Sequence, residues 1–531
     1  MHRSHSRHTH DEPGHHHWVE VEHHGEIVAA YGKNAAARDF QAKLLRESGC
    51  VHVEPLASEI TDAAAAAPHT KRDEIVKIVE SGDPSNRIDI VFMGDGYTAA
   101  ERDRHFEDME RLTNDMFSST TFASHLPLFN IWAIFRESAE SGIGDHGQPR
   151  DTAFGLYRDG TELRGVYCSK PMAARQACAQ TGTDACDYPS LIGNDEFYGG
   201  LGGEFTISTR SLTSGTIVLR HELGHNLIDV GEEYDGGSVY SGVNSSPNLN
   251  NVKWEHWLSY EPPAVAEDAS IMVQAYPWYD LAEGPYVINF QSKGYERSLL
   301  KFSASGCEAP GSLIVRLDGV ELPWNTTGLL DRGFHEFMFN TPLSVGSHQL
   351  VFEQGFPPEQ NVIRQLCNVV MHEYRNESAF HFDREWISAY PTWRQGGSLA
   401  GYRPNNEKCL MRNMTSTDFC SPCIEGMWLH LLNMMSLIDD VDVTTSGSNV
   451  AVTLSVVPLA QFRPAGPREG EEYVVEWRQN GNVRSDLANQ FSFNGTQASL
   501  AGSWSVHVKY INPEIRVDNI GATEATETFT I

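Results

Sequence analysis

The chain has 531 residues, 40% of them apolar and 10% aromatic, which suits three or four folded units better than a single core. Asp and Glu number 71 against 40 Lys and Arg, a formal charge of −31 that would repel nucleic-acid backbones and anionic membrane surfaces. No apolar run approaches the roughly 18 residues that cross a bilayer, so neither a nucleic-acid partner nor a membrane span is expected.

Nine of the 23 histidines fall within residues 1–24, a tract that reads as a disordered tail more readily than as a metal-loading segment. It lacks the apolar centre of a signal peptide. Close-set cysteines (Cys168, Cys178, Cys186; Cys409, Cys420, Cys423) and sequons at Asn244, Asn325, Asn376, Asn413 and Asn494 nevertheless point to a secreted, disulfide-bonded glycoprotein with a non-standard or missing signal. One bridge is expected among Cys168, Cys178 and Cys186. Another, Cys409–Cys420 or Cys409–Cys423, is favoured over a structural zinc for which no fourth ligand is evident.

After a linker, RIDIVFMGDGYT reads as a buried strand running into a glycine turn, and the segment beyond Thr98 repeats Phe106, Met109, Leu112 and Met116 at helical spacing. This strand, turn and helix open an α/β layer. Residues 126–139 predict a second buried strand, and EFTISTR an exposed edge strand. GGLGG (199–203) lacks the lysine and helix of a phosphate-binding loop and reads as a flexible flank. A helix capped by Thr213 or Ser214 then carries HELGHNLIDVGEEYD. Residues 286–374 alternate in short runs, as a β-sandwich does. Residues 424–441 repeat at helical spacing, and the remainder reads as a second β-sandwich, immunoglobulin-like in length.

His221 and His225 lie four apart, so both imidazoles project from one helix face, where Zn²⁺ can take two nitrogens. Glu222 is placed to act on water without ligating the metal. A third ligand is expected from the acidic cluster after Gly231, which would end the helix. Glu232 is preferred, Glu233 is the competitor, and the distant Glu255 is the alternative of an aminopeptidase. Tyr234, Tyr240 and Tyr402 are candidates to stabilise an oxyanion.

HELGHNLIDVGEEYD resembles the signature of the IgA peptidase family of metallopeptidases. IDIVFMGDGYT, LPLFNIWAIFRESAESG and GYRPNNEKCLMRNMTSTDFCSPC resemble further blocks of that family, together bracketing 87–235 and 396–440. The resemblance implies zinc on His221 and His225, Glu222 as general base and a metzincin-like fold with Met411 beneath the metal. Glu232 stands where the family usually has Asp, and Glu233 matches its Glu. The implied architecture is a tail and small module (1–80), an α/β catalytic domain (81–285 and 375–441), an inserted β-sandwich (286–374) and a C-terminal immunoglobulin-like domain (442–531). The expected function is zinc-dependent endopeptidase cleavage of protein or peptide substrates. The rival is a catalytically idle scaffold whose β domains bind glycans or proteins.

Overall fold

A computed structural model describes residues 17–23, 26–32 and 73–531, apart from 238, 261–268, 359–361 and 376–380. Most of the histidine-rich tract and the linker lie outside the described residues, as does Asn376; the backbone of His17–His23 pairs antiparallel with Glu26–Gly32.

β1 (Glu74–Val79), β2 (Ile88–Asp95), β3 (Phe129–Phe135), β4 (Tyr188–Gly193) and β5 (Thr206–Thr209) form one sheet in the order β1-β3-β2-β4-β5. β2 to β5 run parallel and β1 antiparallel. A parallel strand covered on both faces must be apolar throughout, and all eight residues of β2 are buried. Ile88, Ile90 and Phe92 face α1 (Arg102–Met116) and α2 (Gly215–Leu227), while Val91 and Met93 face a second layer that holds the Cys178–Cys186 disulfide. The EFTISTR strand is at the sheet's edge but is not exposed. Leu201 folds back to pair with Ile207 (N–H···O 3.1 and 2.9 Å), and every residue of β5 is buried.

The β-rich insertion is a sandwich of β6 (Ala269–Ala275), β7 (Tyr286–Ser292), β8 (Arg297–Ser305), β9 (Leu313–Leu317), β10 (Gly333–Phe339), β11 (Gly346–Gln354) and β12 (Gln365–Tyr374). Its sheets run β6-β12-β8-β10 and β7-β11-β9, closed over Leu300, Phe302, Val315, Phe352 and Met371. The first strand lies ahead of residue 286 because Ala269 pairs with Tyr374, which also brings the chain's entry and exit together. α3 is Ser421–Asn433, ending short of the expected 441. From Ile438 the chain is the strand β13 (Ile438–Ser446).

β13, β14 (Asn449–Val456) and β16 (Ser492–Thr496) face β15 (Glu472–Gln479), β17 (Ser503–Ile511) and β18 (Glu524–Thr530) across Tyr473, Trp477, Phe493 and Trp504. This terminal sandwich docks on α3. Trp428 Nε1 donates to Glu514 (2.7 Å), and Glu425 accepts the backbone N–H groups of Arg516 (2.6 Å) and Val517 (3.0 Å). Among the described residues no helix is long and apolar enough to cross a membrane.

Candidate metal centre

α2 buries Val218, Leu219, Leu223 and Leu227 in the core and turns His221 toward a cleft, with His225 one turn on facing Glu232. Ser214 stands at the N-cap of α2, one of the two residues expected there, but its hydroxyl makes no hydrogen bond into the first turn. Instead the hydroxyls of Ser211, Thr213 and Ser214 donate to Asp331 Oδ2 (2.7, 2.8 and 2.8 Å), a carboxylate supplied by the inserted sandwich. An anion at this end also suits the helix dipole. Nor does Gly231 end the helix, which stops at Leu227. Gly231 answers a close approach instead, since a β-carbon there would lie 2.5 Å from Ser241 N.

The chain then returns Glu232 to the helix. Its Oε2 lies 3.4 Å from His221 Nε2 and its Oε1 3.1 Å from His225 Nε2, and the three ligand atoms sit within 4.8 Å of one another. The opposite ring nitrogens face backbone carbonyls, His221 Nδ1 at 3.3 Å from Leu410 O and His225 Nδ1 at 3.4 Å from Val230 O. With each Nδ1 engaged by a carbonyl, Nε2 is the nitrogen left on either ring for a metal ion. Burial would raise the Glu232 carboxyl, but the two histidines hold it well below the usual range. Burial would lower His221, yet Glu232 and Glu222 lift it to about 9. Both shifts follow from a buried carboxylate held between two imidazoles. Two nitrogens, one carboxylate and a buried Glu232 Oε2 with no hydrogen-bond partner fit a zinc ion.

Glu222 lines the same cavity, its carboxyl raised by burial. The GGLGG loop roofs it, with Gly202 so close that a β-carbon would stand 2.9 Å from Glu222 Oε2. Met411, fully buried, packs its sulfur 3.4 Å from where a β-carbon of Gly224 would be, and Met411 O accepts the Glu233 N–H (3.0 Å). Among the tyrosines, Tyr234 lines the cavity. Tyr240 donates its hydroxyl to backbone carbonyls, and Tyr402 stands outside the lining. Tyr198, which the sequence does not single out, also lines it. Glu255 is exposed and away from the cavity.

Glu233 turns away from the histidines, is fully buried, and accepts from Asn244 Nδ2 (2.9 Å). Cys409, Cys420 and Cys423 are free thiols, not the expected bridge, and Cys168 is free beside the Cys178–Cys186 bond. Of the sequons, Asn244 and Asn413 are buried, whereas Asn325 and Asn494 are exposed.

Beneath Glu232, the buried Asp235 accepts from Arg412 Nη1 (2.8 Å) and the Trp393 N–H (3.0 Å), and stands 2.8 Å from His372 Nε2 on β12. Arg412 continues to Glu407 (2.8 Å), which Lys301 of β8 also reaches. The insertion is thereby bonded to the turn that carries Glu232. It also walls the cleft, a cavity of about 300 Å³ lined on that side by Trp278, Phe334, His335, Glu336 and Arg332. The Arg332 guanidinium lies 4.7 to 4.9 Å from the rings of Tyr198, Trp278 and Phe334.

Residues 76–264 match the model of a family described as IgA Peptidase M64, a span that holds the sheet, α2 and the Glu232 turn and ends before residues 396–440. No curated protein matches the chain. Among solved structures it is similar to a β-porphyranase of glycoside hydrolase family 86 from Bacteroides plebeius, at 11% identity over 20% of each chain with a TM-score of 0.15. It is also similar to a carbohydrate-binding module of Cellvibrio mixtus lichenase 5A, at 14% identity over 23% of this chain and 95% of that one (TM-score 0.13). A third similarity is to the CBM51-2 and INT domains of Clostridium perfringens ZmpB, at 9% over 46% and 72% (TM-score 0.13). The chain spans a fifth of the first of these proteins, and TM-scores of this size establish no shared fold.

Proposed function

We propose that this chain, which over residues 76–264 belongs to the IgA peptidase M64 family, is a zinc-dependent endopeptidase acting on protein or peptide substrates. The observation that carries the reading is the convergence of His221 Nε2, His225 Nε2 and Glu232 beside a separate buried carboxylate, Glu222. Zinc held there supplies Lewis acidity to a water and to a peptide carbonyl. Glu222, its carboxyl raised by burial, is suited to take the proton of the attacking water and to pass it to the leaving amine. Tyr234, two residues past Glu232 and facing the cavity, is placed to donate to the oxyanion. Met411 packs beneath the helix at Gly224, the place the resemblance gives to the methionine of a metzincin-like centre. The cleft wall contributed by Trp278, Phe334 and Arg332 is where substrate side chains would be selected. The Cys178–Cys186 bond supports an oxidising, extracellular compartment. An aminopeptidase dependent on Glu255 has no support from that residue's exposed position.

The test is a proteome-derived peptide library digested with and without chelator, alongside Glu222→Gln. Cleavage within chains should vanish with the chelator and return with zinc. Glu222→Gln should keep its metal and lose about 10²–10⁴-fold in rate. A Glu222→Gln protein that cuts at the parent rate removes Glu222 from this role.

A further inference from the structure

Behind the candidate catalytic centre lies a second cluster. Cys409, Cys420 and Cys423 stand with Glu233 in a fully buried group whose four ligand atoms lie within 4.8 Å of one another. Cys423 Sγ is 3.6 Å from Cys420 Sγ, 4.0 Å from Cys409 Sγ and 3.8 Å from Glu233 Oε1. A disulfide needs sulfurs about 2.05 Å apart. Zinc–sulfur bonds of about 2.3 Å at tetrahedral angles set sulfurs about 3.8 Å apart, and a carboxylate oxygen about 3.5 Å from a sulfur. The observed spacings fall on the second pattern.

An independent observation points the same way. Glu233 Oε2 is buried and has no hydrogen-bond partner, although its other oxygen accepts from Asn244. A carboxyl group so enclosed is costly unless something completes it. We infer that Cys409, Cys420, Cys423 and Glu233 form a structural site for a thiophilic divalent cation, Zn²⁺, distinct from the catalytic centre.

Zn²⁺ takes its ligands as three thiolates and one carboxylate, so any protons these groups carry leave to solvent on binding, and four anionic ligands around Zn²⁺ leave a net charge of −2. The N-terminus of α3, with Cys420 at its cap and Cys423 in its first turn, faces that charge. The Cys420 N–H also donates to Cys409 Sγ (3.4 Å). With all four positions taken by side chains, the site has no vacancy for chemistry and acts as a pin. Glu233 follows Glu232, Cys409 precedes Met411 by two residues, and α3 carries the docking surface of the terminal sandwich. One ion therefore ties the ligand-bearing turn, the methionine segment and α3 together.

The catalytic centre has no sulfur donor, so cobalt spectroscopy separates the two sites. The cobalt-loaded full-length chain should show near-ultraviolet thiolate-to-cobalt charge transfer, and His221→Ala/His225→Ala should keep it. The same double variant, passed over a weak chelating resin to clear the N-terminal histidines, should fall from about two zinc ions per chain to about one. Adding Cys420→Ser and Cys423→Ser should remove the remaining ion and the band. If that variant does not fold, the unsubstituted chain decides, by its cobalt band and by an intact mass in denaturant that counts free thiols. A disulfide among the three cysteines, or cobalt bound with no thiolate band, overturns the inference. Loss of cleavage alone would bear on the catalytic reading and not on this one.

Discussion

Replacing Gly202 by alanine should slow catalysis while leaving metal and fold in place. The residue is not at a positive φ, so alanine fits its backbone. A β-carbon there would meet two atoms, Glu222 Oε2 at 2.9 Å and His225 Cδ2 at 3.9 Å. Ordinary contacts begin at 3.4 Å, so the Glu222 carboxylate must retreat by about 0.5 Å. The end of a glutamate moves easily, and stability should change by less than about 0.5 kcal/mol. Catalysis is less forgiving. A misplacement of about 1 Å can cost on the order of 10²-fold, so half of that predicts about a tenfold fall in kcat, or about 1.4 kcal/mol of barrier. KM should hold, because no cleft-wall residue is touched. The assay is kcat and KM on one cleaved peptide, with zinc content and Tm measured on the same preparation. An unchanged kcat with zinc retained would refute the placement of Glu222 under this loop. Lost zinc would show that the loop supports the ligands instead.

Asp235→Asn keeps shape but leaves Arg412 and His372 facing an amide, and a broken buried pair of this kind costs about 3–5 kcal/mol. Urea unfolding should show that loss, and a change under about 1 kcal/mol would mean the network is dispensable. Asp331→Asn should cost about 1–2 kcal/mol by removing a charged acceptor at the start of α2, read by the same method; no change would sink that assignment. In the metal-free protein, His221 is lifted to about 9 against its burial by Glu232 and Glu222, so it holds a proton at neutral pH that zinc must displace. The zinc concentration restoring half of the activity should therefore rise about tenfold per unit as pH falls below about 9, and a flat dependence between about pH 6 and 8 contradicts it.

The histidine pair is legible in the chain because i, i+4 spacing places two side chains on one helix face whatever surrounds them. The return of Glu232 is partly legible, from the acidic run after the helix. The mechanism is not, since the helix ends at Leu227 on its own and Gly231 serves a contact with Ser241. Partners distant in sequence leave no local trace. Asp331 lies more than a hundred residues from the hydroxyls it receives, and His372 and Lys301 meet Asp235 and Glu407 only after a sandwich has folded between them. Glu233 shows the same limit. Its neighbours in sequence suggest the histidines, whereas its neighbours in space are three cysteines. The exposed edge assigned to EFTISTR fails because alternation reports a strand's faces, not whether a loop such as Leu201 returns to cover its rim.

Among the polar contacts that hold the inserted sandwich to the rest of the chain, three meet the elements of the candidate metal centre. Asp331 gathers the hydroxyls that begin α2, His372 shares Asp235 just after the Glu232–Glu233 pair, and Lys301 reaches Glu407 just before the Met411 segment. Each of these three ends on an element that carries a proposed metal ligand or packs beneath one. The same sandwich supplies Trp278, Phe334 and Arg332 to the cleft. A decorative insertion would touch its host through exposed, interchangeable contacts, because a buried charge is costly unless its partner is in place. Asp235, Glu407 and Arg412 are each 3% exposed or less, so the host side of this interface makes sense only with the insertion present. On the proposed function, the wall that would meet substrate and the elements that would carry the metal ligands are therefore joined by the same buried contacts.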